Sequence, residues 1–207
     1  MSIIPRAGDD NIRALYVDDE PDFAEMASVF LEREDARLEV ETVSRAGDGL
    51  NRLGDSAFDC VISDYDMPIQ DGIEFLKTVR QKYPQLPFIL YTGKGSEEVA
   101  SDAISAGATD YMQKQSGTDQ YTVLANRIKT VVERTQAQQR YQRQIDAIES
   151  VREGIAILDA DRHHVNVNQA YADIHNADTN ELLGKHWSAL YTEDEVEYIR
   201  TEVFPIV

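Results

Sequence analysis

The chain has 207 residues, which is enough for one domain of about 100–150 residues and a second, smaller one. It carries 38 acidic and 20 basic residues, for a formal charge of −18, so neither nucleic acid nor an anionic membrane is expected as a direct partner. No window approaches the roughly 18 apolar residues of a membrane span, and residues 1–10 lack the apolar segment of a signal peptide. We therefore expect a cytoplasmic protein.

Five short apolar runs, rich in β-branched or aromatic residues, predict β-strands. They are Ala14–Val17, Leu38–Val43, Cys60–Ile62, Phe88–Tyr91 and Tyr111–Met112. Helical spacing of apolar residues fills the intervals, as in the series Phe23, Met26, Ala27, Phe30 and Leu31. This alternation predicts an α/β fold with a five-stranded parallel sheet and helices on both faces. For such a sheet we expect the flavodoxin-like strand order 2-1-3-4-5.

The fifth helical pattern is unusually long. It starts near Thr118 and continues to Ile148 without Gly or Pro, with apolar ends and a polar middle. A single domain does not need a helix of roughly 30 residues, so we interpret its second half as a connector with coiled-coil character, which would allow dimerisation. A solvated linker helix is the alternative. The predicted boundaries are residues 11–130 for the first domain and 131–150 for the helical linker.

A second pattern follows in residues 151–207. The apolar run Ile155–Leu158 is followed by a polar turn over Asp159–His163, then by Val165 and Val167 and by helical residues. This predicts a partial α+β unit. With only about 55 residues, it is short for a domain with an independent core.

Polar residues stand where the predicted strands end. Strand one is followed by Asp18 and Asp19, strand three by Asp64 and strand five by Lys114, while strand four is followed by Thr92. In the order 2-1-3-4-5 these four strands are neighbours, and ligands of open parallel sheets bind beyond the carboxyl ends of the strands. We therefore expect these side chains to share one site.

The chemistry of this set points to phosphoryl transfer. Three carboxylates in one cleft, from Asp18, Asp19 and Asp64, call for a hard divalent cation, and Mg²⁺ prefers oxygen ligands of this kind. Lys114 adds a mobile positive charge and Thr92 a hydroxyl donor. A carboxylate beside Mg²⁺, an ammonium group and a hydroxyl fits the formation of an acyl phosphate.

Two further residues have simpler interpretations. Asp71, followed by Glu74 three positions later, predicts the N-cap of the third helix. Cys60 is the only cysteine and lies in an apolar run, so it is expected to fill the core.

The chain resembles response-regulator receiver domains in four segments, "LYVDDEP", "VISDYDMPIQDG", "ILYTGKGSEE" and "GATDYMQK", over roughly residues 11–130. The resemblance implies that Asp64 is the phosphoacceptor. It implies Mg²⁺ (or Mn²⁺) as cofactor, held by Asp18, Asp19, Asp64 and the backbone carbonyl of Asp66. Lys114 would pair with the phosphoryl group.

The same resemblance assigns switching and tuning roles. Thr92 would bond the phosphoryl group and move, and Tyr111 would be the switch aromatic that turns inward as Thr92 shifts. The side chain of Asp66 and Lys94 would tune hydrolysis of the phosphoaspartate. The proline that usually follows the lysine in this family, commonly through a cis bond, is replaced by Gln115.

Residues 151–207 are similar to the first half of a PAS domain. The positions that carry the likeness are Gly154, Ile157, Asp159, Asn168, Ala170 and Gly184. Haem is not expected, because the four histidines are scattered over polar segments. A covalently linked flavin is not expected either, because the single cysteine lies in the receiver-like part of the chain. The combination of receiver, helical linker and PAS unit resembles haloarchaeal sensory proteins of soluble histidine-kinase-like architecture.

Together these features predict a phosphorelay module. A histidine kinase or phosphotransfer protein would phosphorylate Asp64, and the face formed by helix four, strand five and helix five would switch and signal through the linker to the PAS unit. A homodimer could form through that face or the linker. No kinase motif is present, so no enzyme activity is expected beyond self-phosphorylation and self-dephosphorylation. The alternatives are a phosphorylation-independent pseudo-receiver and a haloacid-dehalogenase-type phosphatase.

The acidic composition also predicts adaptation to high salt. Only six of the 20 basic residues are lysine, and salt would screen the self-repulsion of such a surface. We expect the midpoint of thermal unfolding to rise between low and molar KCl. A fall over the same range, followed by circular dichroism, would contradict this hypothesis.

Overall fold

The computed structural model describes residues 11–93 and 97–203. These residues form two compact units, which meet in the chain between Gln138 and Gln139.

The first unit alternates strands and helices. Its strands are β1 (Ile12–Val17), β2 (Leu38–Val43), β3 (Cys60–Ser63), β4 (Phe88–Thr92) and β5 (Asp110–Gln113). Its helices are α1 (Pro21–Glu34), α2 (Ala46–Asp55), α3 (Gly72–Lys82), α4 (Glu97–Ser105) and α5 (Asp119–Glu149). The strands form one parallel sheet in the order β2-β1-β3-β4-β5, which confirms the predicted fold class.

The sheet is covered on both faces, as its sequence requires. Every residue of β3 and β4 is buried, which is typical of strands with helices on both sides. One core cluster joins strand residues such as Ile62 to Leu31 of α1 and Leu124 of α5. The other joins residues such as Val61 to Phe75 of α3.

Two residues at buried-type spacing turn out to be exposed. Met26 in α1 is 43% exposed and Ile104 in α4 is 57% exposed. In both helices the neighbouring apolar residue, Ala27 or Ala103, is fully buried instead. The buried stripe is therefore narrower than the periodicity suggested, because small residues lie closest to the sheet.

Helix α5 has 31 residues, close to the predicted length. Its buried residues all lie between Gln120 and Val132, and in the remainder up to Glu149 none is buried. Among the described helices none is both long and apolar enough to cross a membrane.

After the end of α5, the second unit continues with a short antiparallel pair of strands. Its elements are β6 (Ala156–Leu158), β7 (His164–Val167), α6 (Gln169–Ile174), α7 (Thr179–Leu182), a 3-10 helix (Trp187–Leu190), α8 (Glu193–Tyr198) and a π-helical turn (Ile199–Val203). Its core is small and is built on Val167, Ala172 and Leu182. Trp187 is also buried, at 3% exposure.

A single buried asparagine organises this unit. Asn168 is fully buried and caps α6, where its Oδ1 accepts hydrogen bonds from the backbone N–H groups of Ile155 and Tyr171. Its Nδ2 donates to the carbonyls of Ile148 and Glu153 at 3.1 and 2.9 Å. Asn168 therefore ties the end of α5 to β6 and α6, which a core of three buried apolar residues could not do alone.

Gly72, at the start of α3, should not tolerate a side chain. A Cβ atom there would lie 2.2 Å from the carbonyl oxygen of Asp64 and 2.8 Å from Cδ1 of Leu90. We expect Gly72→Ala to lower the free energy of unfolding in urea by about 1–3 kcal/mol or more, because backbone atoms must move. The matched control is Gly47→Ala in α2, where nothing lies within 4 Å and the free energy should be unchanged or slightly raised. Equal effects of the two substitutions would contradict this account.

Candidate functional site

The parallel strands bring four predicted site residues to one edge of the sheet. Val17 pairs with Ser63, so Asp18 and Asp64 follow paired positions of β1 and β3. Thr92 pairs with Gln113, so Lys114 follows the last paired position of β5. The backbone N–H of Lys114 also donates to the carbonyl of Thr92 at 2.8 Å.

The centre of the site is an ammonium group between two carboxylates. Lys114 Nζ lies 2.8 Å from Asp18 Oδ2 and 3.0 Å from Asp64 Oδ1. The two carboxylate side chains are 1% and 8% exposed, and that of the lysine is 16% exposed. Because both carboxylates are almost out of water, the lysine offsets a repulsion that solvent could not screen.

The lysine is held in its charged form. Burial by itself lowers the pKa of Lys114, but the hydrogen bond to Asp18 and the negative charges of Asp64 and Asp18 outweigh it, and the pKa lies above its ordinary value. Nζ also lies 4.5 Å from the centre of the Phe23 ring of α1, a favourable cation–π distance. The ammonium group is therefore present throughout the neutral pH range.

Asp18 is fixed by a second set of bonds. Its Oδ1 accepts the backbone N–H of Glu20 at 3.1 Å, and its Oδ2 accepts the hydroxyl of Tyr16 at 3.3 Å. Burial, followed by the charge of Asp18, raises the pKa of Tyr16 far above its ordinary value, so the phenol remains a donor. Asp19, next in sequence, is partly exposed.

Asp64 is fixed from its own loop. Its Oδ2 accepts the backbone N–H of Asp66 at 2.9 Å, and its carbonyl accepts the hydroxyl of Ser63 at 2.8 Å. Asp66 itself is exposed. Asp71 accepts the backbone N–H of Glu74 at 2.8 Å and caps α3, which confirms the helix-cap prediction for this residue.

The remaining predicted residues lie around this centre. Thr92 is buried at 1% exposure. Tyr111 on β5 is half-buried and packs against the cluster that contains Phe75 and Leu90. Lys94 lies outside the described residues.

The donors at the site suit a hard divalent cation. Asp18 and Asp64 offer carboxylate oxygens whose combined charge Lys114 only half neutralises, and Mg²⁺ commonly takes one or two carboxylates and keeps several waters. Within residues 11–93 and 97–203, no three His, Cys, Asp or Glu side chains form a ready-made metal cluster. The residues fit Mg²⁺ chemically, with two buried carboxylates rather than a preformed set of three.

Two groups at the site went unnoticed in the sequence. Tyr16 lies two residues before Asp18 on one strand, and period-two alternation places both on the same face, so the signal was there. Gln120 is a buried polar residue on the apolar stripe of α5 and accepts the backbone N–H of Gln115 at 2.9 Å. No cis peptide bond occurs in the described residues, so the bond between Lys114 and Gln115 is trans.

Comparison with known proteins agrees with this geometry. Residues 14–126, more than half of the chain, match the family described as response regulator receiver domain. The chain belongs to this family. Its receiver domain is of the two-component signalling type, which confirms the predicted class. Residues 148–203 match the PAS fold, so a receiver is followed by a PAS region, as predicted.

Individual relatives and solved structures resemble this chain over different shares of its length. The probable transcriptional regulatory protein TcrX of Mycobacterium tuberculosis is 29% identical over 163 residues, which are 77% of this chain and 64% of TcrX. A CheY-like receiver domain protein of Methanospirillum hungatei is 27% identical, with a TM-score of 0.56 over 62% of this chain and 98% of that structure. The beryllofluoride-activated NtrC4 receiver domain dimer is 27% identical, with a TM-score of 0.53 over 59% and 98%. The chain spans less than two thirds of the length of the first curated relatives it matches.

Removing the ammonium group of Lys114 should destabilise the receiver domain. Lys114→Ala leaves Asp18 and Asp64 buried without their shared partner, and we expect the free energy of unfolding near neutral pH to fall by about 3 kcal/mol. Urea denaturation in the presence of a chelator measures this. Adding Asp18→Asn to the variant should recover part of the loss, because one buried charge is removed. The exposed Lys77→Ala is the matched control, and a loss equal to that of Lys114→Ala would contradict the electrostatic explanation.

Proposed function

We propose that the receiver domain accepts a phosphoryl group on Asp64 from a partner histidine kinase or phosphotransfer protein, in a reaction that requires Mg²⁺ or Mn²⁺. The observation that carries the proposal is the position of Asp64, almost buried, with Lys114 Nζ 3.0 Å from Oδ1 and Asp18 on the other side of the same ammonium group. Family membership supports it, because receiver domains are components of two-component systems.

In the proposed reaction, a carboxylate oxygen of Asp64 attacks phosphorus in the phosphohistidine of the partner. A P–O bond to Asp64 forms as the P–N bond breaks, and the electron pair of that bond stays on the departing ring nitrogen. Because the other ring nitrogen of the phosphohistidine carries a proton, the leaving group is neutral imidazole. Lys114 is close enough to Asp64 to follow the incoming phosphoryl oxygens with its positive charge. Thr92, buried at the end of β4, is proposed to donate its hydroxyl to the phosphoryl group.

The cation is proposed to bind Asp18, Asp19, Asp64 and the backbone carbonyl of Asp66. When bound, it would neutralise phosphoryl and carboxylate charge. Asp18 is already oriented for this by Tyr16 and by the backbone of Glu20, so little reorganisation of its side chain is needed. Hydrolysis of the phosphoaspartate would return Asp64 to its free carboxylate. The exposed side chain of Asp66, with Lys94, is proposed to set the rate of that hydrolysis.

The output is proposed to be a conformational switch. Phosphorylation would draw Thr92 inward and let Tyr111 follow, which alters the face formed by α4, β5 and α5. Helix α5 continues as one helix from Asp119 to Glu149, and this continuity supports its role as the route to the PAS region. The proposed boundaries are a receiver over residues 11–130, a helical linker over 131–150 and a partial PAS unit over 151–207.

The wider context is proposed from composition and relatives. A charge of −18 supports a cytoplasmic, salt-adapted sensory protein like those of haloarchaea, without nucleic acid or membrane as direct partner. The NtrC4 receiver domain dimer supports homodimerisation. We propose the α4-β5-α5 face or the linker helix as the interface. Neither haem nor flavin is part of the proposal.

The decisive experiment is phosphorylation by a small phosphodonor. Incubated with acetyl phosphate and Mg²⁺, the wild-type chain should incorporate one phosphoryl group that is labile to hydroxylamine, as acyl phosphates are. Asp64→Asn should incorporate none. The matched control is Asp71→Asn, an acid-to-amide change in the same loop that preserves the helix cap and should leave incorporation unchanged.

Beryllofluoride with Mg²⁺ provides an independent check, since it should change the oligomeric state or tyrosine fluorescence of the wild type but not of Asp64→Asn. No incorporation and no response in the wild type would overturn the proposal in favour of a pseudo-receiver. Sustained turnover of phosphate esters would favour a phosphatase.

A further inference from the structure

Gln120 is buried and binds the loop that directly follows Lys114. It is the second residue of α5 and is 7% exposed. Its Oε1 accepts the backbone N–H of Gln115 at 2.9 Å, and its Nε2 donates to the carbonyl of Gly117 at 2.8 Å. A backbone N–H can only donate and a carbonyl can only accept, so these two bonds fix the direction in which the amide faces.

A third bond joins this amide to the sheet. The hydroxyl of Tyr91, a fully buried residue of β4, also donates to Gln120 Oε1. The next residue, Thr92, accepts the backbone N–H of Lys114 through its carbonyl at 2.8 Å. The end of β4 therefore holds Lys114 directly and holds Gln115 through Gln120.

The consequence concerns the position of an ammonium group. Lys114 Nζ reaches both Asp18 and Asp64 only while the main chain of Lys114 stays where these bonds hold it. Without the amide, the N–H of Gln115 and the carbonyl of Gly117 lose their partner, and the loop is free to adopt conformations that do not direct the lysine at Asp64. A displacement of the order of 1 Å in a charge that stabilises a transition state costs up to about 100-fold in rate.

We infer that Gln120 is a positioning residue for Lys114 in phosphorylation of Asp64. The inference rests on the proposed function, since it concerns the rate of that reaction. Gln120 touches neither the phosphoryl group nor Asp64 in this scheme; it acts through the loop over residues 115–117.

The test is a double-mutant cycle with acetyl phosphate and Mg²⁺ in the full chain. Gln120→Met keeps the length, the approximate volume and a good helix former but removes the amide. It should slow phosphorylation of Asp64 about tenfold. The exposed Gln138→Met on the same helix is the matched control and should have no effect.

The Lys114→Ala background separates positioning from a structural role. If Gln120 acts through Lys114, then Gln120→Met should slow phosphorylation of the Lys114→Ala chain no further, because nothing remains to be positioned. A further tenfold loss in that background would overturn the inference, and so would a wild-type rate for Gln120→Met alone.

A second variant covers the case in which Gln120→Met does not fold, as judged by thermal unfolding. Gln120→Glu keeps the acceptor for Gln115 and Tyr91 but replaces the N–H donor to Gly117 with a carboxylate oxygen. It should slow phosphorylation by about two- to threefold, and again only when Lys114 is present; an equal loss in both backgrounds would overturn the inference. If the wild type accepts no phosphoryl group, the proposed function itself fails. A phosphorylated wild type with unaffected Gln120 variants overturns the positioning role alone.

Discussion

One ammonium group between two nearly buried carboxylates governs this receiver domain. The crowding of Asp18 and Asp64 is a direct result of topology, because β1 and β3 are parallel neighbours and each is followed directly by an aspartate. In a medium that excludes water, two such charges repel strongly unless a cation lies between them. Lys114, which follows a third strand, supplies that cation. The same two ion pairs therefore build the site and stabilise this edge of the sheet.

The surrounding residues keep this arrangement in place. Gly72 lets α3 pass close to the backbone of Asp64, and Tyr16 and Glu20 hold the carboxylate of Asp18. Every residue of β3 and β4 is buried, so the packed sheet holds the main chain next to Asp64 and Thr92. Because Lys114 Nζ lies 3.0 Å from Asp64 Oδ1, a change in the charge of Asp64 acts directly on Lys114 and, through it, on the loop after β5.

Much of this could be predicted from sequence because its causes are local. Strand-length apolar runs and their alternation with helices predicted the parallel sheet. Within the flavodoxin-like strand order, the polar residue after each strand then predicted the meeting of Asp18, Asp64 and Lys114. The width of each buried helix stripe was predicted less well, as exposed Met26 shows, since it depends on how closely small residues approach the sheet. The contacts of Gln120 and Phe23 with the Lys114 region were not predicted, because they arise from tertiary packing of α5 and α1. The structure shows where Asp18, Asp64, Thr92 and Lys114 lie, while the chemical roles of these residues and of Asp19, Asp66, Tyr111 and Lys94 remain predictions.

The single tryptophan of the chain has a practical consequence for studying signalling. Trp187 lies in the second unit, 3% exposed, and its ring is 5.9 Å from that of Tyr191 and 5.9 Å from that of His186. The first unit contains tyrosines but no tryptophan. Emission excited selectively from the indole therefore reports on the PAS region alone, separately from the proposed phosphorylation at Asp64. Trp187 is therefore an intrinsic fluorescent probe in the region that would receive the proposed signal. A change in its emission on phosphorylation can be measured without an added label.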